Sequence, residues 1–143
     1  MKHLLILLSS TMALSACGQH KENTNHRIHT KTEQKMDISK ITNENVKKAI
    51  EALQENNKTA FYSYFTGDTA FSDDGRALDF KSFFDNAFSH QEKFLSIDTV
   101  ENNGKDIYGD FHAGQWGTFR VFFKFHQNEE GKFDRLAIGQ ARQ

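Results

Sequence analysis

Residues 106–126 read DIYGDFHAGQWGTFRVFFKFH, and the fold turns on how that stretch pairs with itself. Ile107, Gly109, Phe111 and Ala113 fall on one face of a first strand, and Phe119, Val121, Phe123 and Phe125 on one face of a second. Alternation of this kind predicts a β-hairpin with one covered face. Side chains along a strand repeat every two residues, so a slip by one would turn an apolar set to the wrong side. One register stands out: Phe111 opposite Phe119, Tyr108 opposite Phe122, Asp110 opposite Arg120 and Asp106 opposite Lys124, with Gly114, Gln115 and Trp116 as the loop. Arg120 is then expected to pair with Asp110 at the surface, where such a pair is worth little. The inner face carries no Asp, Glu, His or Arg, whereas the outer face mixes aromatic rings with paired charges.

Working outward, residues 93–101 read as the preceding strand, with a turn at Asn102-Asn103-Gly104. A two-residue Asn-Gly turn would put Phe94 and Val100 inside. A three-residue loop would put Leu95 and Ile97 inside and pair Glu101 with Lys105, and is preferred. After the hairpin, Asn128–Gly131 forms a four-residue turn into a last strand from Lys132 to about Ala141, with Leu136 opposite Phe123 and Ile138 opposite Val121. Upstream, Asp79 caps a helix whose Phe80, Phe83, Phe84, Ala87 and Phe88 form a stripe wide enough to cover a sheet face. His90 ends it as a surface cap. Before that, residues 69–78 are extended, with a tight turn at Asp73-Asp74-Gly75. A short helix from Thr59 to Phe65, ended by Gly67, follows a first helix capped by Thr42 or Asn43 and carrying Val46, Ala49, Ile50 and Leu53. Asn56-Asn57 separates the two.

The chain has 143 residues, 14 of them Phe and 0 Pro, so the core is aromatic and turns rest on Gly, Asn and Asp. A formal net charge of −1 without a basic stripe argues against a nucleic-acid binder held through phosphate contacts. Lys2 and His3 precede an apolar stretch too short to cross a bilayer but suited to a secretory signal. It ends in Leu14-Ser15-Ala16-Cys17, with Cys17 the only cysteine, which leaves no internal disulfide. Those four residues resemble the bacterial lipobox. The resemblance implies a signal segment at 1–16, acylation of Cys17, and anchoring to a lipid bilayer, with Gly18 favouring the outer membrane facing the periplasm. Residues 17–40 are expected to be the lipidated Cys and a disordered tether, of which Gly18 to about Lys35 spans about 25 Å. His20, His26 and His29 in that tether are spaced irregularly, as in a solvated linker. Residues 41–143 form the one expected domain.

Helices first, then a four-stranded antiparallel meander with one apolar face, specify an α+β domain with helices packed on one side of a curved sheet. The element order, the ending GKFDRLAIG, the helix pair broken at ENNK and the FTGD that follows resemble the nuclear transport factor 2-like superfamily, in its SnoaL-like or ketosteroid-isomerase-like branch. The resemblance covers about Thr42 to Ala141. It implies a cone-shaped curved antiparallel sheet with the N-terminal helices on its concave face, enclosing a hydrophobic pocket. Residues expected near that pocket are Phe61, Tyr62, Phe65, Phe71, Phe84, Phe88, Trp116 and Phe119, each of which core packing alone also explains.

Enzymes of the superfamily place a carboxylate base in the cone with a Tyr or acid beside it. The positional candidates are Asp73, Asp74 and Tyr62, with Asp68 and Tyr64 behind them. The family's Asp-Pro-x-Gly pattern falls near Asp73-Asp74-Gly75, but without the proline the match is partial, and Asp and Gly in a turn explain themselves. His112 and His126 fall on the outer face without companion ligands, so no metal site and no cofactor are expected. With no acid or base on the inner sheet face, the leading expectation is a membrane-anchored periplasmic lipoprotein whose noncatalytic domain binds a small hydrophobic ligand or a protein partner. The alternatives are an isomerase or dehydratase using an Asp base, and an accessory lipoprotein of an envelope complex. A homodimer is expected through Tyr108, Phe122 and Phe133 on the outer sheet face, rimmed by Asp110, Arg120 and Lys124.

Overall fold

A computed structural model describes residues 36–142. The expected signal segment, Cys17 and residues 18–35 of the expected tether lie outside the described residues. Met36 and Ile38 already pack on the core, and Ile41 is buried.

Three helices precede or interrupt the strands: α1 (Glu44–Gln54), α2 (Lys58–Ser63) and α3 (Phe80–Ser89). Each starts on a side-chain cap, two of them, Asn43 and Asp79, expected from the sequence, and the third, Asn57, read there only as a break between helices. Asn43 accepts from the N–H groups of Asn45 and Val46, Asn57 from that of Ala60, and Asp79 from that of Ser82. α1 and α3 end in the same way, with a residue in the left-handed region and two backbone bonds folding back over the last turn. At α1, Asn56 (φ 54) donates to Leu53 O and Asn57 to Ala52 O. At α3, Gln91 (φ 53) donates to Phe88 O and Glu92 to Ala87 O. This is a Schellman ending without glycine, and it directs the following residue back toward the helix.

The strands are β1 (Phe65–Asp73), β2 (Arg76–Ala77), β3 (Lys93–Phe94), β4 (Thr99–Glu101), β5 (Asp106–His112), β6 (Thr118–Gln127) and β7 (Phe133–Gln140). They form one sheet in the order β2-β1-β7-β6-β5-β3, with β4 also on β5. The β5–β6 hairpin has the register expected from its sequence at every pair, from Asp106–Lys124 to His112–Thr118. Ile107, Phe111, Phe123 and Phe125 are buried on its inner face. The architecture is the expected α+β curved sheet with helices against it.

Several local expectations are corrected. Phe65 opens β1 instead of closing a helix, and Gly67 lies within that strand; α2 ends at Ser63. The extended piece before α3 is an integral strand: β1 runs parallel to β7, pairing Phe71 with Leu136 and Asp73 with Ile138. A parallel pair needs a long crossover, which everything from α3 to β6 supplies. The β6–β7 register is slid by two residues, with Phe125 opposite Leu136 and Phe123 opposite Ile138. Leu136 and Ile138 stay inside because a slip of two preserves the face. A bulge at the turn reverses the face of Phe133, which is buried at 0% exposure against Phe65 and Phe125. Phe133 therefore takes no part in an outer apolar face.

Residues 93–101 follow neither proposed register throughout. Val100 pairs with Ile107 and Glu101 with Asp106, the register of the Asn-Gly turn and not the preferred Glu101–Lys105 pairing, but two extra residues then bulge out and set Phe94 opposite Phe111 where that turn implies Ala113. The bulge turns Ile97 inward as well and leaves Leu95 exposed. It folds over Gly109, where a Cβ would sit 1.9 Å from Ser96 O. It also carries Asp98 to Arg120, which it holds with two short bonds of 2.6 and 2.7 Å. Arg120 pairs with Asp98, not with Asp110.

The core is a single cluster centred on Phe61, whose ring lies 4.9 Å from those of Phe65 and Phe84 and 5.4 Å from that of Phe88. Gln54 ties α1 to the sheet edge, its amide donating to Phe94 O and accepting from Phe94 N.

Candidate functional site

A cavity of about 400 Å3 opens between α3 and the inner sheet face, within the range of small-molecule sites. Phe83, Phe84, Asn86 and Ala87 line it from α3, and Phe111, Phe119, Val121, Phe123 and Ile138 from the strands. Trp116, in a short turn at Gly114–Trp116, stands at its rim and is 70% exposed. The β1–β2 turn contributes Asp73, Asp74 and Arg76, and the segment after α3 contributes Glu92.

Of the eight residues expected near a pocket, Phe84, Trp116 and Phe119 line this cavity. Phe61, Phe65, Phe71 and Phe88 are buried in the packed core and do not reach it. Tyr62 is elsewhere: its hydroxyl bonds Asp85 Oδ1 at 2.9 Å and Lys81 O at 3.1 Å, in a surface cluster with Lys58 and Lys81. Burial, followed by the bond to Asp85, pushes its pKa well up, and the same cluster, led by Lys81, holds Asp85 well below the usual carboxylate range. That phenol is committed to a structural contact.

The structure separates the two adjacent aspartates. Asp74 sits at φ 47 and Gly75 at φ 79, the two left-handed positions of a tight hairpin turn. The Asp74 carboxylate accepts from Gln140 N at 2.9 Å and so fastens the turn to β7. Asp73, half-buried on the inner face beside Ile138, makes no hydrogen bond or ion pair with its side chain among the described residues. Burial first, then the charge of Asp74, raise its pKa, while Arg76 opposes the shift.

Glu92 is the finding the sequence reading missed. It is the one charged side chain buried among the described residues, at 8% exposure. Burial raises its pKa, against the pull of His90 and His112. The expectation of an inner face without acid or base is thus corrected: strand alternation described the hairpin well, but Asp73 and Glu92 enter from outside it. A signal for Glu92 existed. It follows a helix end of the Schellman type at the position where an apolar residue ordinarily packs back on the helix.

Among the described residues no group of three or more His, Cys, Asp or Glu side chains is placed to hold a metal ion. His126 instead pairs with Asp134 on the outer face at 2.6 Å. Tyr108 and Phe122 stay on that face with rings 6.4 Å apart, and Lys124 lies over both.

No family model matches the chain. No curated protein matches it either. Solved structures do. An NTF2-like protein of unknown function from Cytophaga hutchinsonii superposes with a TM-score of 0.55 at 16% identity, over 68% of this chain and 87% of that one. The epoxide hydrolase/cyclase-like enzyme SalBIII, described for its role in pyran ring formation in the polyether salinomycin, gives 0.51 at 14% identity over 68% and 88%. The Anabaena (Nostoc) orange carotenoid protein binding canthaxanthin gives 0.51 at 20% identity, over 71% of this chain and 39% of that larger one. These likenesses, with the helices against a curved sheet described above, establish that the chain has the nuclear transport factor 2-like fold.

Proposed function

We propose that this chain is an envelope-tethered domain that takes a small, mainly apolar molecule into the cavity between α3 and the sheet. The observation that carries the reading is the cavity itself: about 400 Å3, walled by Phe83, Phe84, Phe111, Phe119 and Phe123, with Trp116 at an open rim. Burial of apolar ligand surface against such walls supplies the affinity, and the few polar groups orient the ligand. A protein of the same fold binds canthaxanthin, which supports an apolar occupant. The tether is proposed from Leu14-Ser15-Ala16-Cys17, with acyl groups on Cys17 holding the domain at the periplasmic side of an outer membrane. A homodimer through Tyr108 and Phe122 belongs to the same proposal. Sedimentation of the wild type as a monomer would remove it.

The test is a native mass spectrum of a Cys17→Ser chain purified from a bacterial periplasm without detergent. A reproducible added mass of small-molecule size is expected. A bare polypeptide mass would move the reading to a protein partner, as in an accessory subunit of an envelope complex.

A second reading is favoured by Asp73. An unpartnered carboxylate with a raised pKa on an apolar cavity wall suits a general base for an isomerase- or cyclase-type proton transfer. An enzyme described as epoxide hydrolase/cyclase-like shares the fold. If the copurified molecule is turned over, Asp73→Asn is expected to abolish the reaction while Asp74→Asn spares it. Unchanged turnover in Asp73→Asn rejects this reading.

A further inference from the structure

The unexplained group in the cavity is Glu92. A carboxylate that loses hydration is stabilised only by hydrogen bonds or a countercharge. Glu92 is more than nine-tenths covered as a residue and has no side-chain hydrogen bond or ion pair among the described residues. No side-chain oxygen among those residues is both sealed from solvent and unpartnered, so its carboxylate oxygens open onto the cavity, where an occupant would displace their water. His90 and His112 lie near enough to favour its charged form but not within ion-pair distance. The His90 ring is occupied instead with Asn86 O at 2.9 Å. The Glu92 carboxylate lies against the backbone of Gly114, where a Cβ would be 3.4 Å from Oε1, and it lines the cavity.

The remaining charges of the cavity point the same way. Asp73, Asp74 and Glu92 line it against one cation, Arg76, which is exposed on the edge strand β2 and opposes the shift of Asp73. The walls add aromatic faces, whose negative quadrupole also favours a cation. An anionic occupant would meet an excess of like charge, and a purely apolar one would leave Glu92 desolvated and unpaired.

We infer that the occupant of the cavity is an amphipathic amine, with its ammonium paired to Glu92 and its aromatic or alicyclic body among Phe84, Phe111 and Phe123. The inference rests on the cavity being a small-molecule site. A charge-assisted bond at a carboxylate that the occupant itself seals from water corresponds to at least about tenfold in affinity over a neutral donor on the same body.

Three probes share one body and differ in the end group: 4-phenylbutylamine, 4-phenylbutan-1-ol and 4-phenylbutanoate. Each is titrated at pH 7 into the Cys17→Ser chain. Binding is read by calorimetry and by the emission of Trp116, the only tryptophan. The amine is expected to bind at least about tenfold tighter than the alcohol, and the carboxylate weakest of the three. Glu92→Gln, which keeps the shape and removes the charge, is expected to weaken the amine by about tenfold and leave the alcohol within about twofold. An alcohol that binds as tightly as the amine, or an amine indifferent to Glu92→Gln, overturns the inference and leaves the cavity reading standing. Binding of none of the three overturns the cavity reading and the inference with it.

Discussion

Replacing Phe61 with alanine removes the ring around which helices and sheet are packed, and it separates core aromatics from cavity aromatics. The side chain is 0% exposed, with five neighbouring rings, Tyr62, Phe65, Phe80, Phe84 and Phe88, centred within 6.2 Å. Returning a buried ring of this kind to water costs about 2–3 kcal/mol. The void, on the order of 100 Å3, adds roughly 2 kcal/mol at about 24 cal/mol per Å3, because rings held on three elements relax little. The total of about 4–5 kcal/mol corresponds to a fall in Tm of roughly 15–20 °C for a domain of this size. Trp116→Ala is the partner experiment. With 70% of its surface in solvent, its loss is expected to change stability by no more than about 0.5 kcal/mol while weakening any cavity ligand. Urea and thermal unfolding of both variants, followed by circular dichroism, give the comparison. A loss below about 1 kcal/mol for Phe61→Ala, or equal losses for the two variants, would refute this division of the aromatics.

Asp74→Ala is expected to lose about 1–2 kcal/mol, since it drops the bond to Gln140 N and leaves alanine at φ 47, whereas Asp74→Asn keeps both bond and conformation and stays near neutral. Equal unfolding midpoints for the two would show that the bond does not hold the turn. Gly109→Ala sets a methyl against the Ser96 carbonyl, displaces the bulge and is expected to cost about 1–3 kcal/mol in urea unfolding; a change under about 0.5 kcal/mol would mean the bulge yields freely. The third prediction concerns pH. Asp73 and Glu92 have folded pKa values raised above their ordinary 3.8 and 4.5, so folding takes up protons there, and their contribution is full below those values and lost as pH rises through the folded ones. An Asp73→Asn, Glu92→Gln double variant should therefore gain Tm relative to wild type between pH 4 and pH 7. A Tm difference that stays constant across that range would refute the shifts.

The parts of the fold legible in the sequence are those set by local chemistry. The hairpin register follows from alternation and cross-strand pairing, the starts of the first and third helices from Asn43 and Asp79, and the β1–β2 turn from Asp74-Gly75. What escaped depends on contacts distant in the chain or on irregularities that alternation does not encode. The parallel pairing of β1 with β7 joins segments more than sixty residues apart, so nothing near Phe71 announces Leu136. Bulges moved Phe133 inward and turned Ile97 in with Phe94, and each breaks the two-residue period on which the expectation was built. Three of the eight expected pocket aromatics line the cavity because helical spacing identifies a buried face without saying whether that face meets protein or empty space. Asp73 was singled out for its turn, and its orientation was hidden until its strand was known to pair with Ile138.

The pairing of β1 with β7 also sets an order of events. Until the strand at 133–140 arrives, β1 has only the two-residue β2 beside it, so the wall bearing Asp73 is among the last parts of the sheet to close. Such long-range pairings carry the largest loop-closure entropy and dominate folding time. A chain delivered across a membrane from its N-terminus would present α1, α2 and α3 well before the site exists. On the proposed function, a ligand in the cavity would bridge the first half of the domain and its final strand and act as a clasp on the finished molecule, so that release of the ligand and fraying of β7 would be one coupled equilibrium.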